Sequence, residues 1–183
     1  MTPAVTPIEG PDEAAAILAK GAAALEELFA RLRPEIAAAR ATIGGGTWSA
    51  KDLAGHIQTW EQVALDTIED LRAGRRPRLR DEVTDEPSLD RFNAAQVQAK
   101  ASQSWEEALA ALKATTASLV ATVRAIPPQE WGATPLGQGD DHRTMGQHVG
   151  SATGMPKYPF RHAWAHLPDL RALVEAVEAQ PEA

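Results

Sequence analysis

The chain has no cysteine, which excludes a thiol nucleophile, a thiolate zinc site and a disulfide framework, and suits a reducing cytoplasm as its location. Nor does it hold a run of about 18 apolar residues, the length a membrane-spanning helix needs, so no membrane partner is expected. The stretch Met1 to Pro11 lacks a basic segment followed by an apolar one, and no signal peptide is read there. Positive charge is in short supply. The 18 Lys and Arg stand against 25 Asp and Glu, for a formal net charge of -7, and from that balance no nucleic-acid partner is expected. The basic run from Arg72 to Arg80 is too short to reverse it. Aromatics are few, with 1 Tyr and 3 Phe, yet Trp numbers 5.

What is present is the make-up of one globular domain: 183 residues, 44% hydrophobic and 23% charged. A domain of this length buries about 70% of the surface its unfolded chain exposes, so any metal is there for function and not to hold the core. Residues 1–10, with Pro3, Pro7 and Gly10, read as a flexible N-terminal arm, and 11–180 as a single helical domain.

Alanine dominates the apolar class, apolar residues recur at three and four, and no convincing strand is found, so the fold class is all-α. The first helix begins near Pro11, with Asp12 and Glu13 in its first turn, and carries the stripe Ala15, Leu18, Leu25, Leu28 and Phe29. A short continuation over Glu35 to Ala41 is expected before Gly44-Gly45-Gly46 ends helicity. The second helix is capped by Ser49, with Asp52 at its third position, and runs to about Ala73, with Gly74 beyond its end. Arg75 to Pro87 is read as a long surface connection, and helix resumes from Ser88. Ser104 and Glu107 form a capping box for a helix that Pro127-Pro128 stop. Gln129 to Met155 reads mostly as loop with a short helical piece near Met145 to Ser151, and the last helix is expected from Pro159 to about Ala179. Four principal helices with a polar crossover call for a four-helix bundle.

The 5 histidines carry the chemistry. His162 and His166 stand four apart, so on a helix both imidazoles share one face and can offer two nitrogens to one metal ion. His56, on the inward side of the second helix, is the candidate third ligand. Three neutral imidazoles leave an open position on Zn²⁺, Ni²⁺ or a similar ion and can lower the pKa of a bound water or thiol. The plainer alternative makes His56 a hydrogen-bonded core residue and puts the pair on a solvated face. Pro168, two residues past His166, is expected to kink or restart the helix there.

The run Trp48-Ser49-Ala50-Lys51-Asp52-Leu53-Ala54-Gly55-His56-Ile57-Gln58-Thr59-Trp60-Glu61 resembles the W-S-x-K-D signature, continued by H and W-E, of the DinB/YfiT-like superfamily. The segments Leu89 to Asn93 and Pro127 to Trp131 are similar to its ClbS/DfsB-type branch. The resemblance implies a DinB-like four-helix bundle with a long crossover connection. It also implies a metal site of His56, His162 and His166, most often holding zinc or nickel. Members of known activity use low-molecular-weight thiols as transferases or isomerases, or, in the ClbS branch, hydrolyse a reactive cyclopropane. The implied function is that of a metal-dependent hydrolase or small-thiol-dependent S-transferase or isomerase, acting on a small electrophilic molecule. No catalytic residue is assigned.

Substrate-pocket candidates are Trp60, one turn after His56, Tyr158, four before His162, and His148. Trp164, about 200° from His162 on a helix, should face away and pack on a neighbour. His142 and His148, with Asp140 and Asp141 nearby, are open to a role beside the metal or to plain solvation. The rival from another class is a non-catalytic bundle that binds an apolar ligand or a protein partner around a vestigial site. A homodimer through an alanine-rich face is compatible with either.

Overall fold

The computed structural model describes residues 8–40, 43, 48–154 and 157–179. Residues 1–7 of the expected arm, and Gly44-Gly45-Gly46, lie outside the described residues. Nine helices are described: α1 (Pro11–Phe29), α2 (Pro34–Ala37), α3 (Ala50–Arg72), α4 (Leu79–Glu82), α5 (Glu86–Ala99), α6 (Trp105–Arg124), α7 (Pro128–Trp131), α8 (Met145–Ala152) and α9 (His162–Glu178). Among the described residues the only β pairing is an isolated bridge between Ile43 and Trp48, and no helix is long and apolar enough to cross a membrane.

The long helices α1, α3, α6 and α9 form the bundle, and two core clusters show how they run. One cluster joins Leu25 and Phe29 of α1 with Leu53 and Ile57 of α3, Trp105 and Leu112 of α6, and Leu170 and Val174 of α9. The other joins Ala14 and Leu18 of α1 with Ile68 and Leu71 of α3 and Leu119 and Val123 of α6. The late part of α1 therefore meets the early parts of α3 and α6, so α1 runs against both while α3 and α6 run parallel. Parallel neighbours cannot be joined by a tight turn, which is why a long crossover carrying α4 and α5 separates them. Arg31 near the end of α1 pairs with Glu178 at the end of α9 at 2.5 Å, so those two helices run together.

Several boundaries differ from the sequence reading, each for a local reason. The continuation after Pro34 is a single turn ending at Ala37. The connection after Arg75 is not all irregular, since α4 forms within it. Helix α5 begins at Glu86, not Ser88, because Asp85 caps it reciprocally with Ser88, and Pro87 fits the first turn, where its missing N–H is not needed. Pro128 likewise opens the one-turn α7. The last helix begins at His162, not Pro159, because Phe160 takes a left-handed backbone (φ 62°) that breaks helical geometry. Pro168 does not restart α9, which runs through it, with Leu167 and Leu170 buried on either side.

Candidate metal centre and its cleft

Helix α3 starts where local chemistry tells it to. The Ser49 hydroxyl accepts from the Asp52 N–H at 3.1 Å, and the Asp52 carboxylate accepts from the Ser49 N–H at 3.0 Å. With that start and with Leu53 and Ile57 in the core, His56 falls on the inward face and is only 5% exposed. The ring of Trp48 lies 4.6 Å from its ring. Helix α9 is docked at its first residue, where the His162 N–H donates to the Thr153 carbonyl at 2.9 Å. His166 follows one turn later.

The structure brings the three imidazoles to one point. The Nε2 atoms of His56 and His162 are 3.0 Å apart, those of His162 and His166 are 3.2 Å apart, and one nitrogen from each ring lies within 4.8 Å of the others. Burial holds all three neutral. The His56 pKa is pushed down to about 2 by desolvation, helped by repulsion from His162, His166 and Lys100. Desolvation, with His166 beside it, takes His162 to about 3. His166 is lowered by burial against the opposing pull of Asp169.

A neutral ring nitrogen carries one proton or one lone pair, so His162 Nε2 can make one linear hydrogen bond, yet it faces two neighbours. A cation between the rings satisfies all three lone pairs. Zinc–imidazole bonds of about 2.0 to 2.1 Å in tetrahedral geometry place ligand nitrogens about 3.3 Å apart, close to the observed separations. The residues fit a divalent ion. One feature departs from common practice: His162 Nδ1 is buried with no hydrogen-bond partner among the described residues, so this ring is oriented by the helix start and not by an acceptor behind it.

A cleft of about 810 Å³ opens beside the three histidines. Trp60 forms part of its wall, its indole N–H donating to Asn93 at 3.1 Å and its ring edge-on to Phe92 at 5.5 Å. Tyr158 and His148 also line the cleft. Tyr158 does so from the segment before α9, since the helix starts too late to place it one turn ahead of His162. Trp164 packs on a neighbour as expected, donating its indole N–H to the Ile17 carbonyl of α1 at 3.3 Å, yet it also borders the cleft. His142 is exposed and outside the cleft.

The cleft also holds a cluster not anticipated from sequence. Arg80 and Arg143 line it, and both grip Asp141. Arg143 Nη2 lies 2.8 Å from Asp141 Oδ2, and Arg80 Nη1 lies 2.5 Å from the same oxygen in an ion pair not aligned as a hydrogen bond. The hydrogen bonds from Arg143 hold the Asp141 carboxyl well below the usual carboxylate range. His148 Nε2 is 3.7 Å from Asp141 Oδ2, beyond hydrogen-bond reach. Behind His56, Lys100 donates to the Gly55 carbonyl at 2.7 Å, and burial lowers its pKa to about 8. The one sequence signal for Arg80 was its place in a basic run, and no local pattern singled out Arg143.

The family model of the DinB superfamily matches residues 17–154. The fold is similar to that of an uncharacterised protein from Escherichia coli UTI89, at 15% identity and TM-score 0.77, over 94% of this chain and 97% of that one. It is also similar to the colibactin self-resistance protein ClbS in complex with double-stranded DNA, at 19% identity and TM-score 0.73, over 91% and 98%. No curated protein sequence matches the chain. The ClbS complex corrects one expectation. A protein of this fold is seen with DNA, so the exclusion of a nucleic-acid partner does not stand. The reason is that net charge sums the whole surface, whereas contact with phosphates needs only a local cluster of positive charge.

Proposed function

The chain belongs to the DinB superfamily, and from that premise we propose that it binds a divalent metal through His56, His162 and His166 and acts on a small electrophilic molecule, as a hydrolase or small-thiol-dependent S-transferase or isomerase. The observation that carries this reading is the convergence of three neutral Nε2 atoms at the edge of a cleft. When bound, zinc or nickel supplies a Lewis acid that makes water or a low-molecular-weight thiol acidic near neutral pH. The chain has no cysteine, so a thiol must arrive as co-substrate. Burial keeps the three rings unprotonated and ready as ligands. Trp48 backs the His56 ring, and Trp60, fixed by Asn93, walls the cleft against bulk water.

The test is metal content of untagged protein together with zinc and nickel titration of the stripped protein. One equivalent is expected in wild type, and none in His56→Ala or His162→Asn. A wild type that takes up neither ion overturns the reading. A second reading, DNA binding, is favoured by the ClbS complex and by the exposed Arg75, Arg76 and Arg78. Fluorescence anisotropy of a labelled duplex decides it. Binding that weakens steeply from 50 to 200 mM salt, as expected for about three phosphate contacts, supports the reading, and no binding at 50 mM removes it.

A further inference from the structure

Resting on the reading of this cleft as a substrate site, we propose that its ligand is a small amphipathic anion, whose carboxylate, sulfonate or phosphate group is held by Arg80, Arg143 and His148 while its apolar part lies along Trp60 and Leu79.

The lining is opposite in sign to the molecule. The chain has a formal net charge of -7, yet the described residues that line the cleft include Arg80, Arg143 and Arg161 and no Asp or Glu. The carboxylate that meets two of these arginines, Asp141, is not part of the lining. It offsets one of the two charges and fixes both guanidiniums in place, so the group keeps one net positive charge, and exposed Arg161 adds another at the rim.

Buried nitrogens in this cluster also lack partners: Arg80 Nη1, always a donor, and His148 Nε2, which donates in the tautomer that carries its proton there. His148 is only 4% exposed, and its Nε2 has no hydrogen-bond partner among the described residues. Arg80 Nη1 is likewise buried and meets Asp141 only as an ion pair without hydrogen-bond alignment. Buried donors left unmatched are costly, and an oxyanion supplies the missing acceptors while matching the charge. Much of the remaining wall is apolar, including Leu79, Val83 and Leu89, which favours a ligand with a hydrophobic body over a bare inorganic ion. A cleft of about 810 Å³ is in the range that encloses such small molecules.

Two dyes that differ chiefly by one sulfonate test the assignment: 8-anilinonaphthalene-1-sulfonate and neutral N-phenyl-1-naphthylamine. Each is titrated by fluorescence into full-length protein, stripped and zinc-loaded. We expect saturable binding of the sulfonate dye at least about tenfold tighter than its neutral partner, and its displacement by octanoate but not octanol. Arg80→Gln and Arg143→Gln should each weaken the sulfonate dye about tenfold while changing the neutral dye less than twofold. Retained binding of the neutral dye shows that the cleft is intact in the variants. Equal affinities, no saturation, or arginine variants that affect both dyes alike overturn the proposal. Displacement of the dye by duplex DNA but not by octanoate does so as well. Zinc uptake in the same samples keeps the two readings apart. Lost anion preference with intact uptake sinks the anion site alone, whereas anion preference without uptake supports it and sinks the metal site alone.

Discussion

The three imidazoles make a quantitative prediction about how metal binding responds to acid. A metal must displace any proton on its ligands, so affinity falls with pH in proportion to how readily the free protein's ligands protonate. An ordinary histidine, with a pKa of about 6.5, costs about tenfold in affinity between pH 7.5 and pH 5.5, and three of them cost about a thousandfold. Here burial has already driven the proton off. With His56 near 2 and His162 near 3, neither competes with metal anywhere in this window. His166 is lowered as well, so its share stays below the tenfold of an exposed ring. The apparent zinc Kd of stripped protein should therefore weaken less than about tenfold from pH 7.5 to 5.5. Isothermal titration in buffers of different ionisation heat supplies an independent reading: fewer than one proton released per zinc at pH 6, against about two for three ordinary histidines. A loss near a thousandfold, or release of two or more protons, would refute the claim that the site is buried and preformed before metal arrives.

Other consequences concern stability. Glu61 is buried with one partner, the Thr116 hydroxyl, which donates to it at 2.6 Å, and desolvation pushes its pKa up to about 7. A raised carboxyl pKa favours the folded state below pH 4.5 and loses that advantage as pH rises through 7, a span worth about 3 kcal/mol. Glu61→Gln should thus be more stable than wild type by about 1 to 2 kcal/mol at pH 8, and less so or not at all at pH 4.5, by urea unfolding. The same gap at both pH values would contradict the cause assigned. Gly137 has a left-handed backbone (φ 77°), and a Cβ there would collide with the carbonyl oxygen of Gly74. Gly137→Ala should cost more than about 2 kcal/mol, or 4 °C or more in Tm, and an unchanged Tm would show that the loop docks differently. Ser49→Ala removes the reciprocal cap of α3 and should lower the urea midpoint by an amount worth about 1 kcal/mol with an unchanged slope.

What could be read from the sequence was what neighbours in sequence decide. Ser49 with Asp52 and Ser104 with Glu107 are caps whose two halves lie three residues apart, and both form. The spacing of His162 and His166 is likewise local, and one turn of helix is enough to bring their Nε2 atoms to 3.2 Å. The parallel course of α3 and α6 was not legible in the same way: a long polar segment between them allows a crossover, and only the core contacts of α1 with both helices fix the direction. The start of α9 failed for the complementary reason. Pro159 suits a first helical position, but Phe160 stacks on Trp131 with ring centroids 5.7 Å apart, a contact across 29 residues that holds the chain in a left-handed turn no local pattern records.

The same distinction explains the error made from charge. Arg80 lies in the crossover between α3 and α5, Asp141 and Arg143 in the loop before α8, and His148 within α8, so no window of sequence contains them together. Their meeting depends on the chain after Gly137, where Gln138 donates to the Arg75 carbonyl at 3.0 Å and pins that loop against the end of α3. A charge summed over the chain averages away such a local sign. The excess of acids lies outside the cleft, while the cleft itself is lined by three arginines and no carboxylate among the described residues. Net charge therefore bears on solubility and on long-range attraction, and the partner is chosen by the few groups that the fold gathers where a ligand can touch them.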